Sequence, residues 1–284
     1  MIHLEEVRST NTWLLEALAR GEEFADGTIV WTSRQTAGRG QVGNSWEAEP
    51  EKNLSMSMLL KPSMIHPREQ FVISELTALA VRQTVEEMLT EVSACDSRTD
   101  ILHVPVSIKW PNDIYVGDEK IAGILIENQL QGAQLSHSIL GIGLNINQEH
   151  WIGNAPNPTS LKRIAAKELD FARDFDIERF DPEKGFDVEK VLLHLTCLLK
   201  DFYQQLTADT EVAKKSLHQQ FCSHLYRGKG FHPYVDAETG EAFEARIAKV
   251  AETGQLHLQP REGAEKVYSF KEVKFVLPCG VTKE

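Results

Sequence analysis

One stretch in the middle of the chain consists of consecutive β-strand patterns, and it constrains the fold more than any other. Its first strand is Val106–Ile108, and Pro111 ends it, because proline lacks a donor for the strand ladder and biases the residue before it towards extended geometry. Ile114–Val116 then turns at Gly117 and returns as Lys120–Glu127, a hairpin by alternation and turn chemistry. Ser138–Gly143 is a further strand. The pattern predicts a sheet with polar groups at its strand ends, where sheets flanked by helices hold ligands.

Helical and strand patterns divide the rest of the chain. Apolar spacing predicts an amphipathic helix over Arg68–Thr90, and the capping side chains Ser9-Thr10-Asn11 predict a helix near the start. Ser93–His103 is predicted to be a surface loop. From Gly228 the chain carries short strands separated by glycine turns, which predicts a small β-barrel. We therefore predict an α+β chain with domains at residues 1–226 and 227–284.

Charge and hydropathy exclude several classes of function. The net charge is −12, and the residues from Phe221 onward carry nine basic and nine acidic side chains, so the excess acid lies before them. This distribution argues against nonspecific binding to DNA or to an anionic membrane. The chain also lacks an apolar run approaching the roughly 18 residues of a membrane span.

Cysteine usage points to a reducing compartment. The four cysteines are widely spaced, without a C-x-x-C pair or a repeating metal-ligand spacing, and they are Cys95, Cys197, Cys222 and Cys279. A cytoplasmic location follows as the expectation. Cys222 lies two residues from His224, but closeness in sequence says little about pairing in space, and we interpret both as structural.

The segment Gln35–Trp46, here called the glycine loop, has glycines at 38, 40 and 43 around the single cation Arg39. Such a loop suits close approach of the main chain to an anion. Its spelling is G-x-G-x-x-G, but a dinucleotide site requires a hydrophobic strand before it and a helix after it. The preceding residues are polar and the following Leu54–Leu60 alternates like a strand, so we reject that interpretation.

Five motifs in order closely resemble the biotin protein ligases. They are Ser9-Thr10-Asn11, the loop Gly38–Trp46, Lys109-Trp110-Pro111-Asn112-Asp113, Lys120-x-x-Gly123-Ile124-Leu125-Ile126-Glu127 and Gly141-x-Gly143-Leu144-Asn145. The resemblance implies a mixed sheet flanked by helices and an SH3-like C-terminal domain. It also implies two-step chemistry, in which biotin and ATP form biotinyl-5′-AMP and biotin passes to one lysine of a biotin carboxyl-carrier protein. Mg²⁺ is expected with the ATP.

The resemblance also assigns roles to particular residues. The predicted catalytic residues are Arg39, Lys109, Lys120 and Asp113. The predicted contacts to biotin or its adenylate are Ser9, Thr10, Asn11, Gln35, Gly38, Arg39, Gly40, Gln41, Trp46, Lys120 and Gly123. Asn112 and Asn145 are predicted to bind ATP, and no metal ligand is assigned. These types suit the chemistry, because joining a carboxylate to ATP requires cations and main-chain donors near two anions.

The sequence departs from the family pattern in the glycine loop. Positions that are often basic there are Gln41, Val42 and Asn44, which leaves Arg39 as the only arginine. Because the Ser9-Thr10-Asn11 motif begins so early, we also expect no DNA-binding domain before it. A lipoate–protein ligase and a non-catalytic biotin-binding regulator remain as alternative functions. The sequence does not decide the oligomeric state, and a homodimer stays open.

Overall fold

The structure is a computed structural model that describes residues 1–41, 43–93, 105–153, 157–171, 181 and 183–278. Val42, Cys95, Cys279 and nearly all of the predicted loop Ser93–His103 lie outside the described residues. The strands in chain order are β1 (Ile2–His3), β2 (Thr28–Thr32), β3 (Gly38–Arg39), β4 (Ser45–Trp46), β5 (Asn53–Leu60), β6 (Val106–Lys109), β7 (Asp113–Val116), β8 (Glu119–Gln131), β9 (Gln134–Asn145), β10 (His232–Asp236), β11 (Ala242–Val250), β12 (Leu256–Pro260), β13 (Lys266–Tyr268) and β14 (Val273–Phe275). The α-helices are α1 (Thr10–Ala19), α2 (Phe71–Ser93), α3 (Leu161–Phe171), α4 (Val188–Ala208) and α5 (Thr210–Ser223).

Seven strands form the main sheet, in the order β1-β2-β5-β9-β8-β7-β6. The β1–β2 pair is parallel and the other pairs are antiparallel. The sheet is therefore mixed, which confirms the predicted α+β class. The predicted hairpin through Gly117 forms between β7 and β8. Strands β8 and β9 form a second, longer hairpin that was not predicted, and they extend beyond the predicted Lys120–Glu127 and Ser138–Gly143.

The two faces of the main sheet are covered differently. On one face α2, α4 and α5 pack together over the apolar side chains of the central strands, such as Met56, Ile142 and Leu144. On the other face α1 covers a smaller apolar cluster centred on Leu14 and Ile139. Since α1 is short, it leaves part of this second face to be covered by the glycine loop.

A second, five-stranded antiparallel sheet has the order β13-β12-β11-β10-β14. It packs against the main sheet through Trp110, whose indole Nε1 donates to the carbonyl of Gly254 at 2.9 Å and whose ring meets Phe270. This sheet falls within the predicted C-terminal region. The boundary at residues 226 and 227 and the SH3-like assignment stay predictions.

Local boundaries are set by short irregular segments. Strand β1 covers only Ile2–His3, and Val7 after it forms an isolated bridge to Gln35. Helix α2 begins at Phe71, since a 3-10 turn occupies Pro67–Glu69 before it. Within the part of the chain that the structure describes, no helix has both the length and the apolar character of a membrane span.

Candidate functional site

A cavity opens on the α1 face of the main sheet, between the helix N-terminus, the central strands and the glycine loop. Of the fifteen residues predicted for the site, twelve line this cavity: Ser9, Thr10, Asn11, Gln35, Arg39, Gly40, Gln41, Trp46, Asn112, Asp113, Lys120 and Gly123. These residues come from separate parts of the sequence. The fold therefore brings four of the five motifs together through these residues, and Gly141 and Gly143 of the fifth motif also line the cavity.

The bottom of the cavity, here called the sheet floor, consists of Gly123, Gly141 and Gly143. Directly opposite residues of antiparallel strands face the same side of a sheet. The register Asp113–Gly123–Gly143–Ser55 crosses four strands in one row, so these positions share the cavity face. A Cβ atom added to Gly143 would lie within 2.8 Å of Trp46 Cδ2, and one added to Gly141 would lie 2.8 Å from Asn11 Cγ. The glycines leave room for the Trp46 ring and the Asn11 side chain, which any larger residue would displace.

A β-bulge aims Lys120 at the cavity. The register between β7 and β8 shifts so that Tyr115 pairs with Lys120 while Ile114 pairs with Ala122, which makes Ile121 the extra residue. Without the bulge, alternation from Gly123 would place Lys120 on the opposite face. Because of the bulge, Lys120 Nζ reaches Asp113 Oδ1 at 2.6 Å.

The N-terminus of α1 supplies a compact polar network at one end of the cavity. Ser9 caps the helix, and the backbone N–H of Thr10 donates to Gln35 Oε1 at 3.0 Å. Ser57 Oγ lies 2.7 Å from Thr10 Oγ1 and 2.5 Å from Asn11 Oδ1. An amide oxygen only accepts, so the single Ser57 proton goes to Asn11 and the Thr10 hydroxyl donates to Ser57. Ser57 was not predicted, because strand pairing alone places it beside the helix.

Glu127 holds the cation of the glycine loop. Arg39 donates from Nη1 to Glu127 Oε1 at 3.1 Å and from Nη2 to Oε2 at 2.6 Å, a bidentate pair. Asn11 Nδ2 also donates to Glu127 Oε2 at 2.9 Å. The carboxylate thus links the loop to the start of α1. Glu127 belongs to the Lys120–Glu127 motif, but no sequence pattern indicates that its partner lies in the loop.

Trp46 covers the sheet floor from the loop side. Its ring lies against Gly123 and Gly143, and Lys120 Nζ stands 5.6 Å from the ring centroid. The indole Nε1 is buried without a hydrogen-bond partner among the described residues. A buried donor of this kind is normally paired, so the cavity offers a position for an acceptor atom of a ligand.

Three predicted residues lie away from the cavity wall. Gly38 packs behind it, against Gln35 and the Trp46 backbone. Lys109 is in the same row as Asp113 but lies 3.9 Å from that carboxylate, 5.3 Å from the Tyr115 ring centroid and 5.2 Å from that of Phe275. Burial lowers the pKa of Lys109.

Asn145 is buried under the segment that follows β9. Its Nδ2 donates to the carbonyl of Thr159 at 2.9 Å, while its Oδ1 has no partner among the described residues. Asn112, by contrast, reaches the cavity wall, and its side-chain amide donates to the carbonyl of Ile124. The two predicted ATP ligands therefore lie in different environments.

The donor set does not fit a metal centre built by the protein. Asp113 and Glu127 are engaged by Lys120 and Arg39. Within the described residues, no group of three or more His, Cys, Asp or Glu side chains is positioned to hold a metal ion. The cavity instead offers cations, hydroxyls, amides and backbone donors, which suit a ligand that is polar at one end and anionic at the other.

Comparison with known proteins gives relatives along most of the chain. The bifunctional ligase/repressor BirA of Bacillus subtilis is 30% identical over 247 residues, which cover 86% of this chain and 65% of that protein. The chain therefore spans just under two thirds of that relative's length. The biotin--[acetyl-CoA-carboxylase] ligase of Mycobacterium tuberculosis is 30% identical over 140 residues, covering 49% of this chain and 47% of that protein.

A solved structure shares the fold. The biotin protein ligase from Aquifex aeolicus in complex with biotin and ATP has a TM-score of 0.67 at 23% identity, with 98% of both chains covered. Residues 4–145 match the biotin/lipoate A/B protein ligase family, and this segment contains β2 to β9, α1, α2 and the whole wall of the cavity. The match contains every motif that the sheet brings together at the cavity. The chain belongs to the biotin/lipoate A/B protein ligase family.

Proposed function

We propose that the protein is a biotin–protein ligase. In the first step the biotin carboxylate attacks the α-phosphorus of ATP, forming biotinyl-5′-AMP and releasing pyrophosphate. In the second step a lysine amine of a carrier protein attacks the mixed anhydride, forming an amide and releasing AMP. One observation carries the proposal: a single cavity combines a neutral polar network at the start of α1 with two cations, Arg39 and Lys120.

The polar network favours biotin over lipoate as the acid. The ureido ring of biotin is neutral and has N–H donors and a carbonyl acceptor, which Ser9, Thr10 and Gln35 can match. The dithiolane ring of lipoate offers no comparable partners. Binding lipoate would leave buried hydroxyl and amide groups facing sulfur, at a cost of roughly 1–3 kcal/mol for each unsatisfied group.

The cations serve the activation step. Lys120 and Arg39 line the cavity, and each is already oriented by an acidic side chain. Their proposed role is to neutralise the carboxylate and the α-phosphate as these two anions are brought together. Trp46 covers the floor and excludes water, which matters because a mixed anhydride hydrolyses readily. Asp113 is proposed to orient or deprotonate the incoming lysine. Asn112 and Asn145 remain proposed ATP contacts, and Mg²⁺ enters only as the counter-ion that accompanies ATP.

Pyrophosphate exchange tests the proposal. Biotin should drive exchange of pyrophosphate into ATP, and lipoate should not. Exchange with lipoate alone would establish the lipoate ligase alternative, and a folded protein without exchange on either acid would support a non-catalytic regulator. Transfer from preformed biotinyl-5′-AMP then isolates the second step: an Asp113→Asn protein that transfers at the wild-type rate would remove Asp113 from that step.

The remaining parts of the proposal concern the setting of the reaction. The acceptor is proposed to be a biotin carboxyl-carrier protein or domain, and the location is proposed to be cytoplasmic. Incubating the chain with biotin, ATP and a purified carrier domain, followed by detection of one biotin on one lysine by mass spectrometry, tests the acceptor directly.

A further inference from the structure

A second cluster of reactive side chains lies outside the cavity, where α5 packs on α2. Cys222 Sγ is 3.7 Å from His218 Nε2, one helical turn earlier on α5. His218 Nδ1 is 2.6 Å from Glu75 Oε1 of α2. Cys222 is partly exposed, while Glu75 is buried. A thiol, an imidazole and a carboxylate therefore form a chain that runs from the surface into the interior.

The carboxylate fixes the orientation of the imidazole. Because Nδ1 is engaged by Glu75, Nε2 faces the sulfur, the geometry by which a histidine activates a thiol. Hydrogen bonding to Cys222 and to Glu75 raises the pKa of His218 to about 10, which favours the imidazolium beside the sulfur. The other charge acting from a neighbouring element is Glu252, between β11 and β12, which adds to the effect of burial in raising the pKa of Glu75.

Two nearby groups provide contrasts. His224 is closer to Cys222 in sequence, but its Nδ1 lies 2.8 Å from the carbonyl of Gln220 and 3.1 Å from Ser223 Oγ. Cys197 on α4 is exposed, more so than Cys222. Accessibility alone would therefore make Cys197 the faster thiol, whereas activation by a paired histidine would favour Cys222.

We propose that Cys222 is a preferentially reactive thiol, held as a nucleophile by His218 and Glu75, and that it is a site of modification by small disulfides and alkylating electrophiles. In the exchange reaction the Cys222 thiolate attacks one sulfur of a small disulfide and forms a new S–S bond. The original disulfide breaks, and its second sulfur leaves as a thiolate that takes up a proton. Cys222 is oxidised to a mixed disulfide, and the small disulfide is reduced to one free thiol.

The expected size of the effect follows from the ionised fraction. An ordinary thiol with a pKa of about 8.5 is roughly 1% thiolate at pH 6.5, so full ionisation would give about a 100-fold gain. The intrinsic nucleophilicity of a thiolate falls as its pKa falls, which reduces this gain to about tenfold. Cys222 should therefore react about tenfold faster than Cys197 at pH 6.5, despite its lower exposure.

Alkylation with iodoacetamide, followed by peptide mass spectrometry, measures both cysteines in the same folded protein. In wild type, Cys222 should react faster than Cys197 across pH 6 to 8, and the excess should be largest at the acid end, where a thiol without a paired histidine is least ionised. The His218→Gln variant should slow Cys222 by about tenfold and leave Cys197 unchanged. His224→Gln is the matched control on the same helix end and should leave both rates unchanged.

Disulfide exchange is measured with glutathione disulfide. The mixed disulfide should form on Cys222 before it forms on Cys197, and dithiothreitol should reverse it. Equal rates for the two cysteines in wild type would overturn the proposal. So would an unchanged Cys222 rate in a folded His218→Gln protein. If that variant does not fold, the pH profile of wild-type Cys222 decides alone: a profile that follows that of Cys197 rejects the proposal.

Discussion

The glycine loop and the sheet floor face each other across the cavity, yet they are built in opposite ways. Each floor glycine lies in a strand that is paired on both sides, and its position is fixed by the register of four strands. The loop has only the two short paired strands β3 and β4, and the side chain of Arg39 is 40% exposed. The sheet therefore determines the shape of the site, while the loop supplies a cation that has room to move.

Adding one methyl group to the sheet floor is the most direct test of whether the sheet determines the shape of the site. Gly143→Ala places a methyl group against the rigid Trp46 ring, which cannot yield like the end of a flexible side chain. Overpacking of this kind costs about 1–3 kcal/mol, so biotin-dependent pyrophosphate exchange should fall by up to about 100-fold in kcat/KM. Thermal unfolding should change less than activity, because Trp46 belongs to a loop with two short paired strands, so the ring should move rather than the sheet.

A double variant tests whether the loss comes from the clash. Trp46→Ala alone should also weaken activity, but Gly143→Ala added to it should cost much less than in wild type, since the clashing ring is gone. If the two losses simply add, the floor acts by some route other than contact with Trp46.

Removing the charge of the loop should have the next largest effect. Arg39→Ala deletes the cation proposed to meet the carboxylate and phosphate, and hydrogen bonds to charged groups contribute about 1.5–3 kcal/mol, or roughly 10- to 100-fold. The rate of biotinyl-5′-AMP formation in a single turnover measures this loss. Arg34→Ala is the matched control, because Arg34 pairs with Glu51 and does not line the cavity. An unchanged rate in Arg39→Ala would mean that the role of Arg39 has been misassigned.

Neutralising the partner of Arg39 should have a smaller effect. Glu127→Gln keeps the shape of the side chain and the contact with Asn11 but weakens the bidentate pair. We expect KM for biotin to rise by about fivefold with kcat nearly unchanged, because an exposed or half-exposed ion pair contributes about 1 kcal/mol or less. Glu51→Gln is the control. A fall in kcat with KM unchanged would instead place Glu127 in the chemical step.

The smallest expected effect is on the free energy of unfolding, and it comes from Lys109, which pairs with Asp113 at the end of the row that contains Gly123 and Gly143. Burial lowers the pKa of Lys109 in the folded protein. Between that lowered pKa and the ordinary lysine pKa of about 10.4, the unfolded chain binds more protons than the folded one. The free energy of unfolding of the wild type should therefore rise as the pH rises through this range. Lys109→Met should remove this rise and raise stability at pH 7 by about 1 kcal/mol, because Asp113 keeps Lys120 as its partner. Urea unfolding at pH 7 and pH 10 measures both effects; a less stable variant at pH 7 would show that Lys109 pairs favourably with Asp113.

Local patterns predicted the elements of the fold well. Ser9 caps α1, the strand predicted over Ser138–Gly143 forms within β9, and the hairpin through Gly117 forms as alternation and turn chemistry require. Each of these features depends on residues that are close in sequence. Twelve of the predicted site residues also line one cavity, and their roles stay predictions.

The sequence could not supply features that depend on register between distant strands. The bulge at Ile121 changes which face Lys120 occupies, and nothing in the local alternation reveals it. Glu127 meets Arg39 only because the loop folds over β8. Asn145 lies two residues after Gly143 on β9 and so faces the same side of the sheet. The chain near Thr159 crosses over it, a contact that no local pattern encodes.

The row that contains Gly123 and Gly143 has a consequence for how the site can vary. A sheet face normally carries a layer of side chains about half as thick as the spacing of roughly 10 Å between packed sheets. The Trp46 ring occupies the part of that layer that Gly123 and Gly143 leave out, so the sheet itself sets the depth at which the glycine loop settles. A larger residue at either position would lift the loop from the sheet, whereas changes along the loop would leave the floor as it is.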